Sequence, residues 1–118
     1  MNSQTIRAAH ILQKHKGSRN PLDRVRNVQV TRTLEEAKKN VAAFREQIMK
    51  SADPQKTFME IAQKYSECTS ARNGGDLGEF GPGQMQESFE NAAYALKVGE
   101  ISNLVESDSG VHIILRLD

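Results

Sequence analysis

The 118-residue sequence predicts an α+β domain in which about four helices surround a four-stranded antiparallel sheet. Three observations predict it. Apolar segments of strand character stand near both ends of the chain, and two consecutive helix-start signals occupy its first half. The last two extended segments are joined by Ser107-Asp108-Ser109-Gly110, a connection that suits an antiparallel hairpin.

The elements follow in order. In Ile6–Leu12 an extended backbone places Ile6, Ala8, His10 and Leu12 on one face, which predicts the first strand. A polar stretch to Arg32, with Gly17, Asn20 and Pro21 and no sustained period, predicts a long loop, and loops of that length are usually functional or disordered. Thr33-Leu34-Glu35-Glu36 matches a capping box, and Leu34, Ala37, Val41, Phe44 and Ile48 continue at helical spacing to about Lys50. Asp53-Pro54 supplies a second N-cap with proline at the first helical position, followed by an apolar stripe of Phe58, Ile61, Ala62 and Tyr65. Cys68–Arg72 predicts a short helical turn, and Gly74–Gly83, with five of the eight glycines, leaves room for only a short strand among turns. Phe89, Ala92, Ala93 and Leu96 predict a further helix stopped by Gly99, and Ile101–Glu106 and Val111–Leu117 predict the last two strands.

Length and composition bound the function. The chain fits a single domain spanning residues 1–118, with 37% hydrophobic and 26% charged residues interleaved, as in a soluble globular protein. No apolar run reaches the roughly 18 residues of a spanning helix, and Met1–Thr5 is too short and polar for a secretory signal, so no membrane partner is expected. A cytoplasmic location is expected, with nuclear access by diffusion at 13.1 kDa, and a monomer. The single cysteine, Cys68, excludes an internal disulfide and a paired-cysteine metal site; no metal or cofactor is expected. The net charge of +1 is unevenly spread. Lys14, Lys16, Arg19, Arg24, Arg26 and Arg32 stand against one acid, Asp23, in a single stretch, which leaves the rest of the chain acidic.

Each chemically suggestive residue has a plain structural reading beside it. Cys68 follows a predicted helix and precedes glycine-rich backbone, where a thiol is either partly exposed or a small buried hydrophobe. A Cys-x5-Arg phosphatase loop would need arginine where Gly74 stands, so that reading fails. Strand parity puts His10 beside Leu12 and His112 beside Ile114, so both histidines face apolar material, as hydrogen-bonded core residues or as functional ones. The glycine-rich stretch has neither G-x4-G-K nor a G-x-G-x-x-G opening a helix, which rules out a phosphate loop. Leu77, Phe80, Met85 and Phe89 either line a shallow pocket or pack the core. The basic stretch is a solvated surface, a nucleic-acid contact or a phosphopeptide site. Near-neutral net charge and the lack of interleaved aromatic residues argue against nucleic acid as a partner.

Taken together and in order, Ala9-His10-Ile11-Leu12, Tyr65-Ser66-Glu67-Cys68, Gly74 through Phe80, Gly83-Gln84-Met85, Phe89 through Ala92 and Ser109 through Leu115 resemble the parvulins. The resemblance covers essentially the whole chain. It implies the FKBP-like superfold and a peptidyl-prolyl cis/trans isomerase that stabilises a twisted amide noncovalently. Cysteine at position 68, where many parvulins carry aspartate, and the basic loop imply the branch directed to phosphoserine/phosphothreonine-proline bonds, with phosphorylated Ser/Thr-Pro protein segments as partners. By the same resemblance His10, Cys68, Ser109 and His112 match the polar catalytic cluster. Leu77, Met85 and Phe89 match the pocket for the proline ring, with Gln86 near the rotating bond. Lys14 and Arg19 match two of three phosphate-binding positions, while Asn20 stands where the branch has a second arginine, so Arg24 or Arg26 is expected to supply that charge. The WW domain of some relatives is not expected, since five residues precede the first strand. A non-catalytic phosphopeptide-binding module is the alternative from another functional class.

Overall fold

The structure, a computed structural model, describes residues 5–118. Strands β1 (Ile6–Gln13), β4 (Asp76–Phe80), β5 (Val105–Ser107) and β6 (Gly110–Arg116) form one antiparallel sheet in the order β4-β1-β6-β5. The polar loop after β1 contains a small ribbon of its own, β2 (Leu22–Asp23) paired with β3 (Val28–Gln29), which the sequence reading did not predict. Helices α1 (Leu34–Met49), α2 (Pro54–Tyr65) and α3 (Glu87–Ala95), with a 3₁₀ helix at Thr69–Asn73, complete the expected α+β fold.

The helix starts are those that the residue types dictate. Thr33 and Glu36 form a reciprocal capping box on α1, and the Asp53 carboxylate accepts from the Lys56 N–H at the start of α2, where Pro54 has no N–H to satisfy. Tyr65, placed on the α2 apolar stripe by spacing, is instead exposed and stacks on Phe44.

Strand parity divides the core between the two faces of the sheet. Ala9 and Ile11 of β1 and Val111, Ile113 and Leu115 of β6 pack with Val41, Ile48, Phe58 and Ile61 under α1 and α2. Ile6 and Ala8 of β1 and Ile114 of β6 pack on the other face with Phe80, Phe89, Ala93 and Leu96, under α3. His10 and His112 fall on this second face, one register step apart on adjacent strands, since His10 pairs with Ile114 and Leu12 with His112.

The strand expected at Ile101–Glu106 is shorter and later, at Val105–Ser107, and Ile101 keeps only an isolated bridge to Leu115. Ser102 accounts for the break. Its hydroxyl accepts from the Ile114 N–H while its own N–H donates to the Ile114 carbonyl, so a side chain replaces the ladder partner.

Two glycines are required by close approach. A Cβ on Gly75, at φ +88°, would lie 2.4 Å from the His10 carbonyl, and one on Gly110 would lie 2.5 Å from the Gln13 carbonyl. Both bring backbone against β1 beside the residues that form the site.

Candidate active site

Cys68 is placed by the segment that precedes it. Leaving α2, Ser66 accepts from the Leu12 N–H through its hydroxyl at 3.0 Å, and the Glu67 N–H donates to the Leu12 carbonyl at 2.9 Å. Residues 66–67 are therefore fastened to the end of β1, which brings Cys68 to the face that carries His10. A cavity of about 290 Å³ opens there, and His10, His112 and Cys68 line it together with Leu77, Met85 and Phe89.

The two histidines form a buried pair. Their Nδ1 atoms are 2.9 Å apart, so one imidazole Nδ1–H donates to the other and the rings share a proton. His112 Nε2 lies 2.6 Å from the Ser107 hydroxyl, which also accepts the Ser109 N–H at 3.2 Å. Burial, and then the neighbouring His10, push the pKa of His112 well below its ordinary value and keep the ring neutral. Phe89 meets both rings edge to face, at centroid distances of 5.5 and 5.1 Å.

His10 Nε2 is buried without a partner in hydrogen-bond geometry. His10 also acts on Cys68. Burial pushes the thiol up, but the interaction with His10, joined by hydrogen bonding with Ser70, outweighs it and brings the pKa from 9.0 to about 6. The approach of the His10 imidazole to sulfur is thus electrostatically effective without the alignment of a formed hydrogen bond, as is common in an unliganded site. At neutral pH the side chain is mainly thiolate.

These shifts set a pH dependence. The folded state binds fewer protons at Cys68 than the unfolded chain between about pH 6 and 9, so this contribution is complete above about pH 9 and is lost as pH falls through 6. The buried neutral His112 acts in the same direction below its ordinary 6.5. The melting temperature of the wild type minus that of Cys68→Ser is expected to increase as pH rises from about 6 to 9. A difference that is flat across that window would contradict the thiolate.

A second cavity, of about 300 Å³, is lined by Lys14, Arg19 and Arg24, with Asn20, Glu67 and Cys68 among the other residues. Leu12, Arg19, Cys68 and Ser109 belong to the walls of both cavities, so the basic pocket and the apolar one adjoin. The Arg19 N–H donates to the Asp108 carbonyl at 2.8 Å, which fastens the basic loop to the β5–β6 turn. Lys14 is only 5% exposed, and its ammonium donates to the Leu22 carbonyl at 2.6 Å. Burial and then the charge of Arg24 lower its pKa, consistent with two cations converging on one pocket. Among the described residues the Arg19 and Arg24 guanidinium groups have no hydrogen-bond or ion-pair partner.

Of the two arginines expected to replace the charge missing at Asn20, the structure brings Arg24 to the pocket and commits Arg26 elsewhere. Arg26 pairs with Asp23 at 3.0 Å and donates to the Ser66 and Lys64 carbonyls. Asp23, 2% exposed, also accepts the N–H groups of Val25 and Arg26, which makes it the anchor of the turn between β2 and β3.

The structure adds detail at three other expected sites. Ser109 lines both cavities, but the hydroxyl that meets His112 is Ser107, which the sequence reading passed over. Gln86 also lines the apolar cavity, yet its amide is committed: Nε2 donates to the Ser109 hydroxyl at 2.9 Å and Oε1 accepts the Asp108 N–H at 2.7 Å. Leu77 and Met85 are partly buried at the cavity wall, whereas Phe89, 4% exposed, is both wall and core, so pocket and core are not alternatives for it. Among the described residues no group of three or more His, Cys, Asp or Glu side chains is arranged to hold a metal ion.

Residues 10–118 match the family model described as Rotamase, PPIC-type PPIASE domain. A protein of Digitalis lanata named peptidyl-prolyl cis-trans isomerase Pin1 is 46% identical over 119 residues, covering 98% of each chain. The chain is 50% identical to the pin1 isomerase of Schizosaccharomyces pombe, matching over 98% of its own length and 63% of that relative's. It likewise spans 64% of a 50% identical isomerase homologue named dodo in Drosophila melanogaster, with 94% of its own length matched. The solution structure of TbPIN1 superimposes with a TM-score of 0.85 at 42% identity, covering 99% of this chain and all of that one. The polar cluster around Cys68 and the adjoining apolar cavity thus stand on a domain of known kind: the chain belongs to the PPIC-type peptidyl-prolyl cis/trans isomerase family.

Proposed function

We propose that this chain isomerises peptidyl-prolyl bonds preceded by phosphoserine or phosphothreonine, holding the phosphate in the basic pocket and the proline ring in the apolar cavity. The observation that carries this reading is the contact between the two cavities, which share Leu12, Arg19, Cys68 and Ser109. A phosphate and a proline ring one residue apart need two such pockets side by side. The Pin1 names of several relatives support an isomerase of this type.

The physical task is to lower a rotational barrier of about 18–20 kcal/mol that comes from amide resonance. No bond breaks. The protein must bind the twisted amide more tightly than either planar form, and anchoring both ends of the dipeptide leaves the carbonyl between them as the part that turns. Cys68 sits in the wall common to both pockets, where its charge and the linked histidines set the polarity that this carbonyl meets. A role through charge also makes sense of aspartate as an alternative at this position, because both side chains are anions at pH 7.

Cys68→Asp should therefore keep measurable isomerase activity, whereas Cys68→Ala should lose roughly ten- to a hundredfold, the worth of one hydrogen bond to a charged group. Exchange spectroscopy on a phosphoserine-proline peptide with a catalytic amount of protein reads both results. Accelerated cis/trans exchange in the wild type is expected. Binding of the peptide with no acceleration would replace the enzyme by a phosphopeptide-binding module, and a dead but folded Cys68→Asp would overturn the noncovalent account.

A further inference from the structure

Glu67 is a carboxylate in the wall of the basic pocket, an arrangement that works against binding a phosphate dianion. It is 4% exposed, so bulk water screens it little. Its charge is met by Arg32, whose Nη1 lies 2.6 Å from Glu67 Oε1. The same Nη1 donates to the Lys14 carbonyl at 2.9 Å, and Glu67 Oε1 accepts the Lys14 N–H at 2.7 Å. One ion pair therefore holds both backbone polar groups of Lys14. The Arg32 carbonyl in turn accepts the Lys16 N–H at 2.8 Å, so Arg32 closes the base of the whole basic loop.

We propose that Arg32 is a positioning residue of the anion pocket: it neutralises Glu67 in the pocket wall and fixes the backbone of Lys14, so that the pocket presents net positive charge to substrate phosphate. Arg32 does not touch the phosphate. This rests on the phosphate reading above and adds to it a residue at the far end of the loop, counted by the sequence only as one more charge of a basic run. Breaking a buried pair from one side leaves the other charge uncompensated. Here the charge left behind would be the negative one, facing the substrate's own negative group.

The test is a charge rescue, scored as kcat/KM on a phosphoserine-proline peptide and on its unphosphorylated counterpart. Arg32→Met should lower the phosphopeptide value by about tenfold or more and leave the unphosphorylated value within about twofold. Adding Glu67→Gln to Arg32→Met should restore most of the loss, because the amide keeps an oxygen for the Lys14 N–H and carries no charge. A purely structural pair would behave in the opposite way, with the second substitution adding damage. Glu67→Gln alone retains the Arg32 contact to Lys14 and should hold or raise phosphopeptide efficiency, which tests the inference even if Arg32→Met does not fold. Equal loss on both substrates in Arg32→Met, no recovery in the double variant, or a selective phosphopeptide loss in Glu67→Gln would each overturn the role. If the wild type itself shows no phosphate preference, the phosphate reading fails and this inference with it; a preference that survives Arg32→Met removes this inference alone.

Discussion

Phe89→Ala is expected to destabilise the fold by about 3–5 kcal/mol, the usual range for deleting a buried aromatic side chain, and to cripple the site in the molecules that stay folded. Both effects follow from one position. Phe89 closes the core under α3 with Phe80 and Ala93, and the same ring packs edge-on against His10 and His112 while lining the cavity. Truncation would remove the proposed proline-ring contact and open the buried histidine pair, of which His10 acts on Cys68, to water. Denaturant unfolding should show the stability loss, and kcat/KM per folded molecule should fall as well. Unchanged efficiency per folded molecule would mean that Phe89 is core alone and that the ring binds elsewhere. Met85→Ala supplies the contrast, because Met85 is only partly buried: its efficiency should fall with a much smaller loss of stability.

The second large effect is expected in the basic pocket. A hydrogen bond to a charged group contributes about 1.5–3 kcal/mol, so removing one phosphate contact should lower kcat/KM on a phosphorylated peptide roughly ten- to a hundredfold. Arg24→Ala is the cleanest case, since no hydrogen bond or ion pair among the described residues engages its guanidinium. Lys14→Met should show the same selectivity with some loss of stability, because its ammonium also holds the Leu22 carbonyl. Arg26→Ala should act on stability and spare the phosphate preference, since its side chain is spent on Asp23 and two carbonyls. Raising the salt concentration should weaken the phosphorylated substrate preferentially. Equal losses on phosphorylated and unphosphorylated peptides in Arg24→Ala would remove that residue from the phosphate site.

The parts of this arrangement that were legible in the sequence are those carried by local pattern. The capping box at Thr33, the Asp53-Pro54 start and the two-residue period of β1 and β6 depend on neighbours a few positions apart, and parity alone put His10 and His112 on apolar faces. What stayed hidden depends on partners far along the chain. Arg32 and Glu67 are 35 residues apart, and nothing in either segment announces the pair. The β2–β3 ribbon has two residues per strand, too few for any period to register, but Asp23 was a usable signal. A lone acid three residues before Arg26 in an otherwise basic run is a turn anchor more readily than a chance residue. Ser109 entered the polar cluster by family resemblance, and that Ser107 is the hydroxyl beside His112 depends on a two-residue offset in a tight turn that no local pattern marks.

Charge logic also explains why Asn20 is tolerable. Asn20 lines the basic pocket without adding a cation, and Arg24 lies against the same cavity from the β2–β3 turn. The pocket keeps three cationic side chains, Lys14, Arg19 and Arg24, with the Arg32–Glu67 pair neutral behind them. The two adjoining cavities suit a ligand with concentrated negative charge on one end and an apolar ring on the other. A phosphorylated residue followed by proline has that shape.

The most direct measurement is kcat/KM of the wild-type chain for cis/trans isomerisation of two peptides that differ only in phosphorylation of the serine before proline, at low and at physiological salt. The account predicts catalysis of both, a preference for the phosphorylated peptide of at least roughly tenfold, and erosion of that preference as salt rises. Catalysis with no preference, unchanged by salt, would contradict the phosphate assignment and leave a less selective isomerase.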